Sequence, residues 1–159
     1  MGWFDEVYET EVPYEGQATI STCWRACYRM LVGWKGKDRS IVDKLPNISK
    51  MLSRGILDSE FAACRDQLGL SSTRYTFFGT VSNVAHMVST YGPIWVSGFY
   101  CNGSKHIVLV TGVNVDEKTI RVNDPWRSFT GAKGKPSWWG HGYFYKNINP
   151  VSFACQHWG

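Results

Sequence analysis

The run Ile107-Val108-Leu109-Val110-Thr111-Gly112-Val113 constrains the fold most. It is almost continuously apolar and rich in β-branched residues. Such a run suits a central strand buried on both faces of a sheet. Asp116-Glu117-Lys118 supplies a turn, after which Ile120-Arg121-Val122-Asn123 alternates and returns antiparallel. Upstream, Pro93-Ile94-Trp95-Val96-Ser97 reads as a further strand. Residues 127–142 are broken by Gly131, Gly134, Pro136, Gly140 and Gly142 and read as loop. Tyr143–Tyr145 and Val151–Ala154 are expected to add short edge strands.

The first half of the chain has a different period. Trp24, Cys27, Tyr28, Leu31 and Trp34 recur at helical spacing, which predicts a helix over Cys23–Val32 ending near Gly33. Residues 35–39 form a polar turn, and Ser40 is positioned to cap a short helix that Pro46 stops. A turn of helix over 47–54 follows. Asp58 then reads as the N-cap of a helix over Ser59–Leu68 that Gly69 stops, and Thr80 as the cap of a helix over Val81–Tyr91. Helices first and sheet second make an α+β chain. Its 159 residues suit one domain, 1–159, with one core.

Charge is distributed unevenly. Residues 1–16 form an acidic arm carrying Asp5, Glu6, Glu9, Glu11 and Glu15 and no basic residue. The rest has 17 Lys and Arg against eight acids, a net of +9. Those bases are scattered, with no run of five, which argues against a nucleic-acid partner. Pro13 and Gly16 interrupt the arm, so it is expected to lie extended on the body and deliver Gln17. The five cysteines show no CxxC pair, so neither a zinc site nor a disulfide framework is expected, and no metal or cofactor. A reducing, cytoplasmic setting fits them. The N-terminus has no signal-peptide pattern, and no apolar run reaches 18 residues, so no membrane partner is expected.

The residues with chemistry fall where the pattern changes. Cys23 sits on the first turn of the predicted helix, where unpaired N–H groups and the positive dipole end favour a thiolate. Gln17, six residues upstream, is placed to donate to a developing oxyanion together with the Cys23 N–H. His106 opens the most apolar strand, a rigid mount at the mouth of a cleft. Asp124 ends the return strand. With the turn near Val115–Asp116, Asp124 lies about opposite His106, close enough to accept its Nδ1–H and fix the tautomer. Asn123 would face the other way and is the weaker candidate. Read alone, Cys23 is one of five cysteines and Asp124 a turn aspartate before proline; the joint pattern is what favours catalysis. Cys64, mid-helix with Phe61 and Leu68, reads as core, and His86 as solvated.

Gln17, Cys23 and Trp24 resemble the active-site segment of papain-like cysteine proteases, and the order Cys, His, Asp matches as well. Gly92-Pro93-Ile94-Trp95-Val96, the strand from His106 to Gly112, and Asn123-Asp124-Pro125-Trp126 look like the compact bacterial branch. That branch includes double-glycine peptidases that process bacteriocin leaders, and papain-like effectors that are injected into cells. The match spans roughly residues 14–127. It implies a papain-like fold, with the Cys on a helix N-terminus and an antiparallel sheet carrying His and Asp. It also implies Cys23, His106, Asp124 and Gln17 as the catalytic set. Two features depart from it: larger relatives use asparagine where Asp124 stands, and Arg25 and Cys27 occupy positions where small residues are usual.

The implied activity is a cysteine endopeptidase acting on cytosolic proteins of a target cell, cutting after Gly-Gly. Trp24, Trp95 and Trp126, with Trp138 and Trp139, are expected near the cleft, where flat rings would admit glycine, and the glycine-rich loop over 131–142 would border it. The absence of a propeptide or transporter region in the sequence suggests a secreted toxin restrained by a cognate inhibitor or immunity protein. The basic body would suit an acidic surface on that partner. Two other classes share the residue order or the fold. One is a non-proteolytic Cys-His-Asp enzyme, such as a peptidoglycan amidase, transglutaminase or acyltransferase. The other is a catalytically silent binding module.

Overall fold

The structure, a computed structural model, describes residues 7–126 and 136–159. The expectations for Asp5 and Glu6, and for residues 127–135 of the glycine-rich loop, lie outside the described residues. The order along the chain is β1 (Val7–Glu9), α1 (Cys23–Trp34), a 3-10 turn (Arg39–Lys44), α2 (Ile48–Arg54), a second 3-10 turn (Asp58–Glu60), α3 (Phe61–Leu68), β2 (Ser71–Ser72) and a third 3-10 turn (Tyr75–Gly79). It continues with α4 (Val81–Tyr91), β3 (Ile94–Cys101), β4 (Ser104–Asn114), β5 (Thr119–Asn123), β6 (Ser137–Gly140), α5 (His141–Lys146) and β7 (Cys155–His157). All the described strands join one antiparallel sheet, in the order β2-β7-β3-β4-β5-β6, with β1 also pairing β4.

β4 is the central strand that its apolar run requires. Ile107 and Leu109 join Trp95 of β3 in a cluster with α1, α2 and α3. Val108, Val110 and Val113 join Ile94, Val96, Ile120 and Val122 in a second cluster with α4 and Phe144 of α5. Each face of the sheet is therefore covered by helices; β4 alternates between the two cores from Ile107 to Val110, and Val113 joins the second core after the register shift between Val110 and Gly112. β3 and β4 meet in a two-residue hairpin in which Asn102 (φ 52°) and Gly103 (φ 83°) take the left-handed backbone that such a turn demands.

Several boundaries differ from the sequence expectations, for local reasons. α1 continues through Gly33 to Trp34, and the left-handed residue after it is Gly36. Asp38, not Ser40, caps the first 3-10 turn, its side chain accepting from the Ser40 N–H. Asp58 is the first residue of a 3-10 turn, which precedes α3. Thr80 caps α4 by accepting from the Asn83 N–H, as the sequence pattern indicates. Tyr143–Tyr145, expected as a strand, lies in α5, because Phe144 turns inward and the Tyr100 hydroxyl donates to its carbonyl at 2.7 Å. Val151–Ala154 is likewise not a strand. The chain turns there, with Phe153 at φ 68°, and the strand comes next, at Cys155–His157. Within the expected loop over 127–142, residues 137–140 form a strand paired with β5.

The arm is stitched to the body residue by residue. Trp34 Nε1 donates to Thr10 Oγ1 (2.8 Å), Asn123 Nδ2 to the Val12 carbonyl (3.2 Å), and Arg29 Nε to Glu15 (2.6 Å). This path lays residues 10–17 along α1 and the end of β5, and brings Gln17 beside Pro125, whose carbonyl accepts from the Gln17 N–H at 2.9 Å.

Candidate active site

Cys23 is the first residue of α1 and is half-buried. The residue before it, Thr22, is the N-cap, yet its side chain caps nothing in the helix. The first helical bond runs from the Ala26 N–H to the Thr22 carbonyl. The N–H groups of the first turn therefore have no side-chain cap, and no acid sits in that turn to neutralise the positive helix end.

His106, the third residue of β4, is 3% exposed. Its Nε2 lies 2.7 Å from Asp124 Oδ1. A carboxylate can only accept, so Nε2 carries the proton and Nδ1 is left for Cys23, the other group whose interaction raises the ring's proton affinity. Burial alone would lower the proton affinity of this imidazole. The hydrogen bonds to Asp124 and Cys23, and the charges behind them, outweigh it and raise the pKa from 6.5 to about 9. The ring is then an imidazolium at neutral pH, a positive charge set beside the sulfur.

This geometry corrects two expectations. Asp124 accepts from Nε2 rather than Nδ1. Nor is it a direct cross-strand partner of His106: the β4–β5 ladder pairs Leu109 with Asn123 and ends there, with a register shift between Val110 and Gly112. Asp124 reaches back from just past the ladder. It is held there by the Tyr14 hydroxyl, which donates to its carbonyl at 2.6 Å, and by the Trp126 N–H, which donates to the same Oδ1 at 3.0 Å. The Trp126 ring stands edge-to-face against the imidazole, centroids 6.0 Å apart. Asn123 points into the core, donating to the Val12 carbonyl, as its position on the strand indicates.

Gln17 is buried, and its Nε2 donates to the Thr19 carbonyl at 2.8 Å. A carbonyl only accepts, so this contact sets which way the amide points. One N–H of the amide is used there, and Oε1 is buried with no partner among the described residues.

The structure overturns the expectation that Trp24 and Trp95 contact substrate. Both are 0% exposed. Trp24 Nε1 donates to the Ser21 carbonyl (2.9 Å), and Trp95 stacks on Tyr28 at 4.7 Å with Phe61 at its edge. Their size and shape fill the core under α1. Trp139 packs with Tyr100 and Tyr143 in the second cluster, on the face away from α1, and Trp138 is an exposed residue of β6. Of the rings expected at the cleft, Trp126 is the one against the imidazole. Arg25 makes a two-pronged ion pair with Asp43 (2.7 and 3.1 Å), and Cys27 is buried with its thiol against the Ile107 carbonyl.

Tyr14 and the Thr19–Thr22 pair support the site and escaped the sequence reading. Tyr14 acts across 110 residues, for which sequence carries no local signal. Thr22 did carry one, a cap-type residue directly before a helix. All five cysteines are free, and among the described residues no group of three or more His, Cys, Asp or Glu could hold a metal ion. No described helix is long and apolar enough to cross a membrane.

Comparison with known proteins gives a fold and a family. No curated protein matches the chain. Among solved structures the fold is similar to xylellain, a cysteine protease from Xylella fastidiosa. The TM-score is 0.56 and the identity 9%, over 95% of this chain and 84% of that one. Residues 6–135 match the family described as papain-like cysteine protease AvrRpt2. With most of its length inside that match, the chain belongs to the AvrRpt2 family of papain-like cysteine proteases.

Proposed function

We propose that this protease is an endopeptidase in which Cys23, His106 and Asp124 form the catalytic set and Gln17 serves the oxyanion. The observation that carries the reading is the His106 Nε2–Asp124 Oδ1 bond of 2.7 Å, with Cys23 as the ring's other partner. The Cys23 thiolate attacks the peptide carbonyl, and the carbonyl oxygen gains the negative charge. The Cys23 N–H and the free N–H of the Gln17 amide receive that charge. His106 gives its Nδ1 proton to the leaving amine, which departs and leaves a thioester on Cys23. The neutral imidazole then takes a proton from water, the hydroxide attacks the thioester, and the acid product leaves with Cys23 restored. Asp124 keeps the imidazole in the tautomer that presents Nδ1 to sulfur. Trp126 covers the imidazole and narrows the cleft beside it.

We extend the proposal to biology. The protein acts as a bacterial secreted effector, made in the cytoplasm and delivered by a specialised system into a target cell, where it cuts cytosolic proteins after Gly-Gly pairs. The free cysteines support a reducing place of action. The resemblance to double-glycine peptidases and injected effectors supports the cleavage site and the delivery. Glycine fits a cleft narrowed by Trp126, since it permits close backbone approach. A cognate inhibitor would protect the producer, presenting an acidic surface to the basic body.

The test is expression in bacterial cytoplasm of the wild type beside Cys23→Ala, with new protein N-termini mapped by mass spectrometry. Wild-type-only toxicity with new termini preceded by glycine is expected. Equal growth of both strains, or termini preceded by large residues, refutes the effector reading. Loss of casein hydrolysis in purified Cys23→Ala tests the nucleophile separately, and retained hydrolysis refutes it.

A further inference from the structure

We infer that Thr22 is a positioning residue for the oxyanion site, acting through a closed knot of hydrogen bonds with Thr19. This inference rests on the catalytic reading of Cys23 and Gln17. An N-cap threonine ordinarily turns its hydroxyl forward to accept from an N–H of the first helical turn. Thr22 turns it backward. Its Oγ1 accepts from the Thr19 N–H (3.0 Å) and from the Thr19 hydroxyl (3.2 Å), and donates to the Thr19 carbonyl (3.1 Å). A hydroxyl has one donor and two acceptor sites, so this one is fully occupied, all by a single residue. The Thr22 N–H adds a fourth bond to the Thr19 carbonyl (3.3 Å), and the Ser21 N–H donates to Thr19 Oγ1 (3.3 Å).

The knot has two consequences at the same spot. The Cys23 N–H belongs to the peptide that joins Thr22 to Cys23, so anchoring Thr22 to Thr19 through both its hydroxyl and its N–H fixes the direction of that donor. The Thr19 carbonyl is fixed in place, and that carbonyl holds Gln17 Nε2 at 2.8 Å. Thr22 thereby acts on both oxyanion donors, the backbone one directly and the amide one through Thr19. Thr22 is 3% exposed, so water does not readily replace a hydroxyl removed from it. Thr19 is exposed, so its side chain can be trimmed without opening a core.

The experiment compares the full-length wild type with Thr22→Val, Thr22→Ser and Thr19→Ala in three measurements. These are kcat and KM on fluorescein-labelled casein, the rate of Cys23 alkylation by iodoacetamide, and the affinity for a peptide aldehyde ending in Gly-glycinal, read as protection of Cys23 from alkylation. The aldehyde forms a hemithioacetal whose oxygen occupies the oxyanion site, whereas iodoacetamide is displaced at carbon and forms no such oxyanion. Losing one oxyanion donor outright costs about 10²–10³ in kcat, so misplacing both by a fraction of an ångström is expected to cost roughly 10- to 100-fold. Thr22→Val should show that loss in kcat and a loss of similar size in aldehyde affinity, with KM and alkylation within about twofold. Thr22→Ser should recover to within about threefold, since it keeps the hydroxyl. Thr19→Ala keeps the backbone half of the knot and should lose less than Thr22→Val. It is also the variant that decides should Thr22→Val fail to fold.

Unchanged kcat and aldehyde affinity in Thr22→Val, or in Thr19→Ala if that alone folds, overturns the inference. A parallel fall in kcat and alkylation also overturns it, because the nucleophile, not the oxyanion site, has then moved. Failure of the underlying reading looks different: wild-type Cys23 would resist both iodoacetamide and the aldehyde.

Discussion

Asp124→Asn tests the central bond of the proposed site, and the structure supplies both direction and size. Oδ1 of Asp124 accepts two N–H donors, His106 Nε2–H and the Trp126 backbone N–H. An amide nitrogen could not sit there without facing two donors, so the introduced carboxamide places its oxygen in that position and the imidazole keeps its tautomer. What is lost is the charge. A hydrogen bond to a charged group contributes about 1.5–3 kcal/mol, or roughly 1–2 pH units at 1.36 kcal/mol per unit. The imidazolium, held up to about 9 in the wild type, should therefore lose its proton near pH 7–8, one or two units lower. The assay is the pH dependence of kcat/KM on casein. The alkaline limb should fall near 9 in the wild type and one to two units earlier in Asp124→Asn, with activity at pH 6 within about tenfold. Stability should follow the same ionisation. His106 binds its proton more tightly folded than unfolded, so its contribution is fully present below pH 6.5 and disappears as the pH rises through 9. Urea midpoints measured from pH 6 to 10 should decline more in the wild type than in Asp124→Asn. An unmoved alkaline limb would show that Asp124 does not set the proton affinity of His106. A loss above 10³ at pH 6 would show that the amide sits inverted.

Gln17→Ala should lower kcat by about 10²–10³ with little change in KM; a raised KM at constant kcat would assign Gln17 to substrate binding instead. Trp95→Ala empties a site fully enclosed by Tyr28, Phe61 and α1 and should cost about 3–5 kcal/mol, seen as a Tm lowered by roughly 6–20 °C; a drop under 2 °C would contradict its burial. Glu60 is held down to about 2 by the Arg54 guanidinium, against the opposing effect of burial, with help from the Leu57 N–H and Asn47. Its contribution is present above pH 4.5 and lost as the pH falls through 2, so Glu60→Gln should flatten the acid loss of stability in urea titrations. Identical acid profiles for the two proteins would refute this.

Much of the candidate site was legible because its residues stand where local patterns end. Cys23 marks the start of a helical period, His106 the mouth of an apolar run and Asp124 the end of an alternating one, and each of these is a property of near neighbours in the chain. The central strand was legible for the same reason, since residues apolar on both faces fit only a covered position. The Asn102-Gly103 hairpin turn, which sets where β4 begins, escaped the sequence reading, although an Asn-Gly pair is a local hairpin signal.

Tertiary structure decided the rest. Strands of two and three residues, β1, β2 and β7, exist because a neighbouring strand offers partners; nothing in so short a stretch of side chains specifies them. Tyr143–Tyr145 has strand-type residues but becomes helical where Phe144 can reach the second core. The tryptophans show the limit most plainly. A ring at a strand position is core or cleft according to which face it takes and what packs on it. Trp95 pairs with Leu109 on the face that α1 covers, whereas Trp126, just past the ladder, stands against His106. The choice of Nε2 over Nδ1 was settled in the same way. Chain order names the residues of a hydrogen bond, but only the path of the backbone past the last ladder pair decides which atom each presents.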